Sequence, residues 1–227
     1  RQRPVFRSAG AFPSLLYLAL DSVPLDNRDI LCLQNLPVLT TLELSSTGIG
    51  NEAVFLLVAL KPTLSQLYLN QNPAIDDDAI PALIILDRLS VAALSGTSVT
   101  MDGLRRLAAA ALAREQDLCL TVPDECTQYL IDMPAKYVVD PEAPLITDPA
   151  TCAHLTLTAL RKNLAAHAAV NAEIATAGTR AELRRALQTV LETRRRDLMV
   201  KSLVCRDDYD GEGEGEGQEG DRDGSGM

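Results

Sequence analysis

His154 and His167 are the only imidazoles in the chain, and imidazole is the group whose ordinary pKa suits proton transfer near neutrality. Neither lies beside a serine or cysteine in a recognisable nucleophile motif, so base-assisted covalent catalysis has no starting pair. Cys152-x-His154 offers half of a zinc site, and two further ligands at metal spacing are missing. The five cysteines, Cys32, Cys119, Cys126, Cys152 and Cys205, form an odd set without Cys-x-x-Cys spacing. Reduced thiols are therefore expected rather than a disulfide framework, and with them a nuclear or cytoplasmic location. Asp76-Asp77-Asp78 lacks the alternating oxygen ligands and terminal Glu of a calcium loop and reads as a helix start. No glycine-rich phosphate loop is present, and the tail glycines alternate with glutamates that repel phosphate. With no Trp, five Tyr and three Phe, a base-stacking platform for single strands is excluded. The expectation is a protein without catalytic residues, metal, cofactor or small-molecule substrate.

Binding chemistry remains. Residues 155–205 hold 9 basic and 4 acidic side chains, whereas residues 1–154 hold 10 and 18 and residues 206–227 hold 2 and 9. The basic segment is the one region of this chain, of net charge -10, where phosphate would be attracted. Residues 207–227 have almost no apolar side chain to offset the entropy of ordering and are expected to be disordered. The longest apolar run, Ala53 to Leu60, is eight residues, against about 20 for a membrane span, so no membrane contact is expected. Position 1 is Arg and residues 1–14 lack the apolar centre of a secretory signal, so the sequence reads as a fragment.

These side chains need elements to position them, and the elements recur with a period. Leu15-x-x-Leu18-x-Leu20, Leu39-x-x-Leu42-x-Leu44, Leu64-x-x-Leu67-x-Leu69 and Leu89-x-x-Ala92-x-Leu94 place their last leucines 24, 25 and 25 residues apart. Second blocks follow at Val23-Pro24-Leu25, Thr47-Gly48-Ile49, Asn72-Pro73-Ala74-Ile75 and Thr97-Ser98-Val99, and helix starts are expected at Asp26, Gly50, Asp76 and Thr100. Leu118 to Val122 reads as a fifth, closing strand with no repeat helix after it. Strand alternation sends the leucines inward and leaves Tyr17, Ala19, Asp21, Thr41, Glu43, Ser45, Gln66, Tyr68, Asn70, Val91, Ala93 and Ser95 on the opposite face. Aromatics among polar neighbours supply interface anchors. Tyr17, Asp21, Thr41, Glu43, Gln66, Tyr68 and Asn70 are accordingly the candidate protein-binding residues.

The four copies resemble the leucine-rich repeat family over about residues 13 to 122. Thr47-x-Ile49-Gly50-Asn51-Glu52-Ala53 and Thr97-x-Val99-Thr100-Met101-Asp102-Gly103-Leu104 look most like the cysteine-containing subtype found in F-box proteins, within the ribonuclease-inhibitor-like superfamily. The resemblance implies a solenoid with a parallel sheet on its concave face, a protein partner held there, and a substrate-receptor role in a ubiquitin ligase.

Five of the twelve prolines fall between Pro123 and Pro149, a density that neither helix nor central strand tolerates, so residues 123–152 read as a linker. Within it, Tyr129-Leu130-Ile131 is expected to fold back over the last repeat. Beyond it, Leu157, Leu160 and Leu164, then Leu183, Leu187 and Leu191, have the three-and-four spacing of two amphipathic helices, the second opened by a Thr179/Glu182 capping box. Leu155 to Leu164 followed by Gly178-Thr-Arg-Ala-Glu-Leu183-x-x-x-Leu187 resembles the SAP motif, a helix-extended-helix module that binds DNA. That resemblance implies duplex DNA as a partner and phosphate contacts from Arg161, Lys162, Thr179, Arg180, Arg184 and Arg185.

The fold expected is thus α/β: a short repeat solenoid over residues 1–122, a proline-rich linker or cap over 123–152, a basic helical module over 153–205 and a disordered acidic tail over 206–227. The function expected is protein-protein scaffolding, with nuclear DNA or chromatin association as the alternative.

Overall fold

The structure is a computed structural model that describes residues 12–205. Each repeat opens with a short strand: β1 (Tyr17–Ala19), β2 (Thr41–Glu43), β3 (Gln66–Tyr68), β4 (Val91–Ala93) and β5 (Cys119–Thr121). The five form one parallel sheet in chain order, with Leu18, Leu42, Leu67, Ala92 and Leu120 in a single row. Parallel neighbours cannot be joined by hairpins, so every connection is a crossover. The crossovers contain α1 (Asn27–Leu33), α2 (Asn51–Leu57) with a 3-10 turn at Val58–Leu60, a 3-10 turn at Asp77–Ala79 leading into α3 (Ile80–Ile85), and α4 (Met101–Ala113). The architecture is α/β, helices alternating with the strands of a parallel sheet.

The helical segments start where the sequence places them because the caps are local. Asp26 accepts from the Arg28 and Asp29 N–H groups, Asp76 from that of Asp78 and Thr100 from that of Asp102, each satisfying a donor that the first turn leaves open. The strand exits repeat as well: Ser22, Ser46, Gln71 and Gly96 all have positive φ, from 56° to 68°. Only the last is the residue type that adopts this region without strain.

Leu42, Leu44, Leu64, Leu67 and Leu69 are wholly buried, each worth about 1.5–3 kcal/mol of transfer free energy. Among them lies one amide, also wholly buried. Asn72 accepts from the Thr47 and Gly48 N–H groups at 3.1 and 2.9 Å and donates to the Leu44 and Leu69 carbonyls, both at 2.9 Å. It thereby satisfies backbone groups at the exits of β2 and β3 that burial would otherwise leave unpaired.

The linker expectation is corrected between residues 124 and 136, where α5 (Asp124–Ile131) and α6 (Met133–Lys136) form. Proline density is misleading here because the prolines punctuate helices instead of interrupting them. Pro123 is the N-cap residue of α5, Pro134 sits in the first turn of α6 and Pro149 opens a 3-10 segment, Pro149–His154. At such positions a missing N–H removes no helical bond. Cys126, Leu130, Met133 and Tyr137 are buried against the repeat core, so this segment does fold back over the last repeat, with Ile131 left exposed.

The two expected C-terminal helices are α7 (Leu157–Ala168) and α8 (Arg180–Leu203), and α8 begins with the Thr179/Glu182 capping box. Leu160, Leu164, Leu183, Leu187 and Leu191 form a second core with Cys152. The 24 residues of α8 run about 36 Å, long enough to leave that core and join the first through Val200 and Leu203. At the crossing, the wholly buried Asp197 accepts from Arg105 Nε at 2.7 Å, Tyr137 OH at 2.7 Å and Tyr129 OH at 3.1 Å.

Beyond α8, Val204 makes a parallel bridge with Leu120, the Cys205 N–H donates to the Leu120 carbonyl at 2.9 Å, and Cys205 is disulfide-bonded to Cys119. This corrects the expectation of five reduced thiols. The pair is 86 residues apart, brought together by α8 docking and not by any local spacing. Cys32, Cys126 and Cys152 remain as thiols, and burial pushes that of Cys126 up to about 11. Among the described residues no helix is long and apolar enough to cross a membrane. The acidic tail, with the disorder expected of it, lies outside the described residues.

Candidate interaction face

The face of the sheet away from the leucine core carries the residues singled out for protein binding. The register stacks Tyr17, Thr41, Gln66, Val91 and Cys119 in one row and Ala19, Glu43, Tyr68, Ala93 and Thr121 in the next. Tyr17 is 54% exposed and its hydroxyl donates to Glu43 Oε1 at 2.8 Å. That bond to Glu43, then burial and the charges of Glu43 and Asp21, raise the Tyr17 pKa. The Thr41 hydroxyl donates to Gln66 Oε1 at 3.3 Å. Asp21 Oδ1 accepts from the Ser45 N–H at 2.7 Å and Asn70 Oδ1 from the Ser95 N–H at 3.1 Å, so both lock a strand exit to the next one. Tyr68 lies half-buried between Glu43 and Ala93 in its row. All seven residues thus share one face, five of them on β1 to β3 and Asp21 and Asn70 just beyond the ends of β1 and β3.

At the carboxyl ends of β3 to β5 the face runs into a recess of about 560 Å³, lined by Asn70, Ser95, Thr121, Asp124, Thr127 and Cys205 among others. Its wall is the Val204–Cys205 segment that closes on β5. On the other side of that wall, Leu130, Ile131, Pro134 and Lys201 line a second recess of about 330 Å³. Thr121 lines the first, and its hydroxyl is shielded from solvent and has no hydrogen-bond partner among the described residues. Asp124 and Thr127 escape sequence reasoning because residues 123–152 read as linker, and Cys205 because its approach to β5 follows no local spacing. The signal that could have found α5 was Asp124 and Glu125 after Pro123, a helix start, with Cys126 and Leu130 as its apolar stripe.

The residues singled out for DNA sit on α7 and α8. Arg161, Lys162, Arg184 and Arg185 are exposed and, among the described residues, form no ion pair. Thr179 and Arg180 are already engaged: the Thr179 N–H and hydroxyl both donate to Glu182 Oε2 at 2.8 Å, and Arg180 donates to the Leu155 carbonyl at 3.0 Å. A carboxylate therefore occupies the helix start where a phosphate would approach. Arg194 does not extend the basic surface. It is buried and donates to the Val139 carbonyl at 2.7 Å.

Of the groups with catalytic or metal potential, His167, Asp76 and Asp77 make structural hydrogen bonds. His167 is wholly buried, and its Nδ1 accepts from the Val138 N–H at 3.1 Å, which places the ring proton of the neutral form on Nε2. Burial, and then the charge of Arg194, lower its pKa. Cys152 is buried and His154 exposed. Asp76 caps a helical turn, while Asp77 accepts from the Thr100 N–H and hydroxyl at 2.8 and 2.6 Å. Among the described residues no three His, Cys, Asp or Glu side chains converge as a metal site would require.

No family model matches this sequence, and no curated protein is significantly similar to it.

Proposed function

We propose that this chain is a non-catalytic protein-interaction scaffold of the leucine-rich-repeat type, which holds a protein partner on the concave, exposed face of its sheet. The supporting observation is the five-strand register, which aligns Tyr17, Thr41 and Gln66 beside Glu43 and Tyr68 as continuous rows. An exposed aromatic held in place by a carboxylate is a ready anchor. The ligase version, in which the bound protein is a substrate for ubiquitin transfer, follows from the F-box-like form of the repeats. The Cys119–Cys205 bond favours an oxidising compartment over the nuclear or cytoplasmic location that the other thiols suggest.

Duplex DNA is the second reading, favoured by the unpaired exposure of Arg161, Lys162, Arg184 and Arg185. Two sets of substitutions separate the readings in affinity capture from cell extract: Tyr17→Ala, Glu43→Lys and Tyr68→Ala on the face, against Arg161, Lys162, Arg184 and Arg185→Ala on the helices. Partners lost only with the first set support the interaction face, and partners indifferent to it refute that face. For the DNA reading, affinity should fall steeply with salt, and Arg180, Arg184 and Arg185→Ala should flatten the slope.

A further inference from the structure

Five strands at about 4.8 Å spacing make the face about 19 Å across. With two or three side chains per strand it offers a few hundred Å², less than the ~800 Å² per partner of a stable globular complex. The area suits an extended segment. Its charge is one-sided, because Glu43 stands in a row that contains no Lys or Arg and Asp21 lies just beyond the end of β1, bonded to the Ser45 N–H. The recess at the far end continues that chemistry with the oxygens of Asn70, Ser95, Thr121, Asp124 and Thr127, and no cation lines it. An anion is disfavoured there, since the N-cap residue Pro123 has no N–H to offer and Asp124 and Glu125 already fill the first turn of α5.

We propose that the face and the recess together bind a basic, extended segment of a partner protein, seating one Lys or Arg side chain in the recess and a second over Glu43. The proposal rests on the interaction-face reading above and assigns its partner class. The spacing follows from geometry: β2 and β5 are three strand spacings apart, about 14 Å, which four extended residues span. Residues i and i+4 of such a segment point to the same side.

The test uses the full chain and three labelled nonapeptides in a Ser/Thr background: arginines four apart, the same two arginines adjacent, and glutamine in place of both. Fluorescence anisotropy should give the four-apart peptide an affinity about five-fold or more above its charge-matched isomer, with the glutamine peptide weaker still. Asp124→Asn and Glu43→Gln should each weaken the four-apart peptide by about five-fold and erase the spacing preference, whereas the exposed Glu142→Gln should not. Amide shift changes on the unsubstituted chain, which depend on no variant folding, should centre on Tyr68, Ser95 and Thr121. Equal affinity for the two spacings, or shifts centred elsewhere, overturns the proposal. If capture of a partner still depends on Tyr17 and Tyr68, the interaction face survives that result. If capture is indifferent to the face, both readings fall.

Discussion

Asp197→Ala is the substitution from which the attachment of α8 to the repeats can be read. The side chain has no solvent exposure and accepts three hydrogen bonds, from Arg105, Tyr129 and Tyr137, residues 92, 68 and 60 positions away. Removing the carboxylate leaves Arg105, whose side chain is 17% exposed, with Asp102 as its remaining ion partner. Asp102 is 82% exposed, so its attraction is screened and replaces little. The buried Tyr137 hydroxyl loses its partner as well. Breaking a buried pair in this way costs about 3–5 kcal/mol, and with a urea slope of about 2 kcal/mol/M the midpoint should fall by about 1.5–2.5 M. Urea unfolding followed by circular dichroism and tyrosine fluorescence measures the change. Asp197→Asn should lose about half as much, because its carbonyl still accepts from Arg105 and its amide can donate to the tyrosine oxygens. Adding Arg105→Met to Asp197→Ala should recover part of the loss, since the stranded charge is its main source. A midpoint for Asp197→Ala within about 0.5 M of the parent would refute the reasoning.

Other expectations test different levels of the structure. A β-carbon added at Gly103 in α4 would collide with the Asp77 carboxylate and press on Ile80; Gly103→Ala should therefore push Asp77 off Thr100 and lower the melting temperature, with overpacking of about 1–3 kcal/mol outweighing about 1 kcal/mol of helix propensity. An unchanged or raised midpoint in calorimetry counts against that contact. Because the His167 pKa is lowered from 6.5 on folding, the unfolded chain takes the proton first as pH falls. Its contribution is thus full above about pH 6.5 and is lost below it, at up to about 1.4 kcal/mol per pH unit. His167→Gln should flatten stability between about pH 5 and 6.5, above the range where carboxylates titrate, and an unaltered slope would rule out His167 as the source. Thiol titration in denaturant should count three thiols before reduction and five after it. Cys205→Ser should cost about 2–4 kcal/mol, and five thiols before reduction would remove the bond from the account.

The sequence by itself determined the repeats and most of what they present. Leucines at fixed offsets fix strand placement, and the same period sets the register, so Tyr17, Thr41 and Gln66 had to fall in one row beside Glu43 and Tyr68. Asp26, Asp76 and Thr100 were legible as caps because a cap bonds to backbone two or three residues away. The Thr179/Glu182 box was legible for the same reason. Only the tertiary structure decided what happens after β5. There the period ends, and the partners of Asp197, Cys119 and Val204 are chosen by where α8 crosses α4, not by any local spacing. Prolines that read as a linker proved to be helix starts, since a missing N–H excludes a helix interior but suits a first turn. Half of the candidate site was therefore written in the alternation of the strands. The other half, the recess walled by Thr121, Asp124 and Cys205, exists only because segments distant in sequence pack against the last strand.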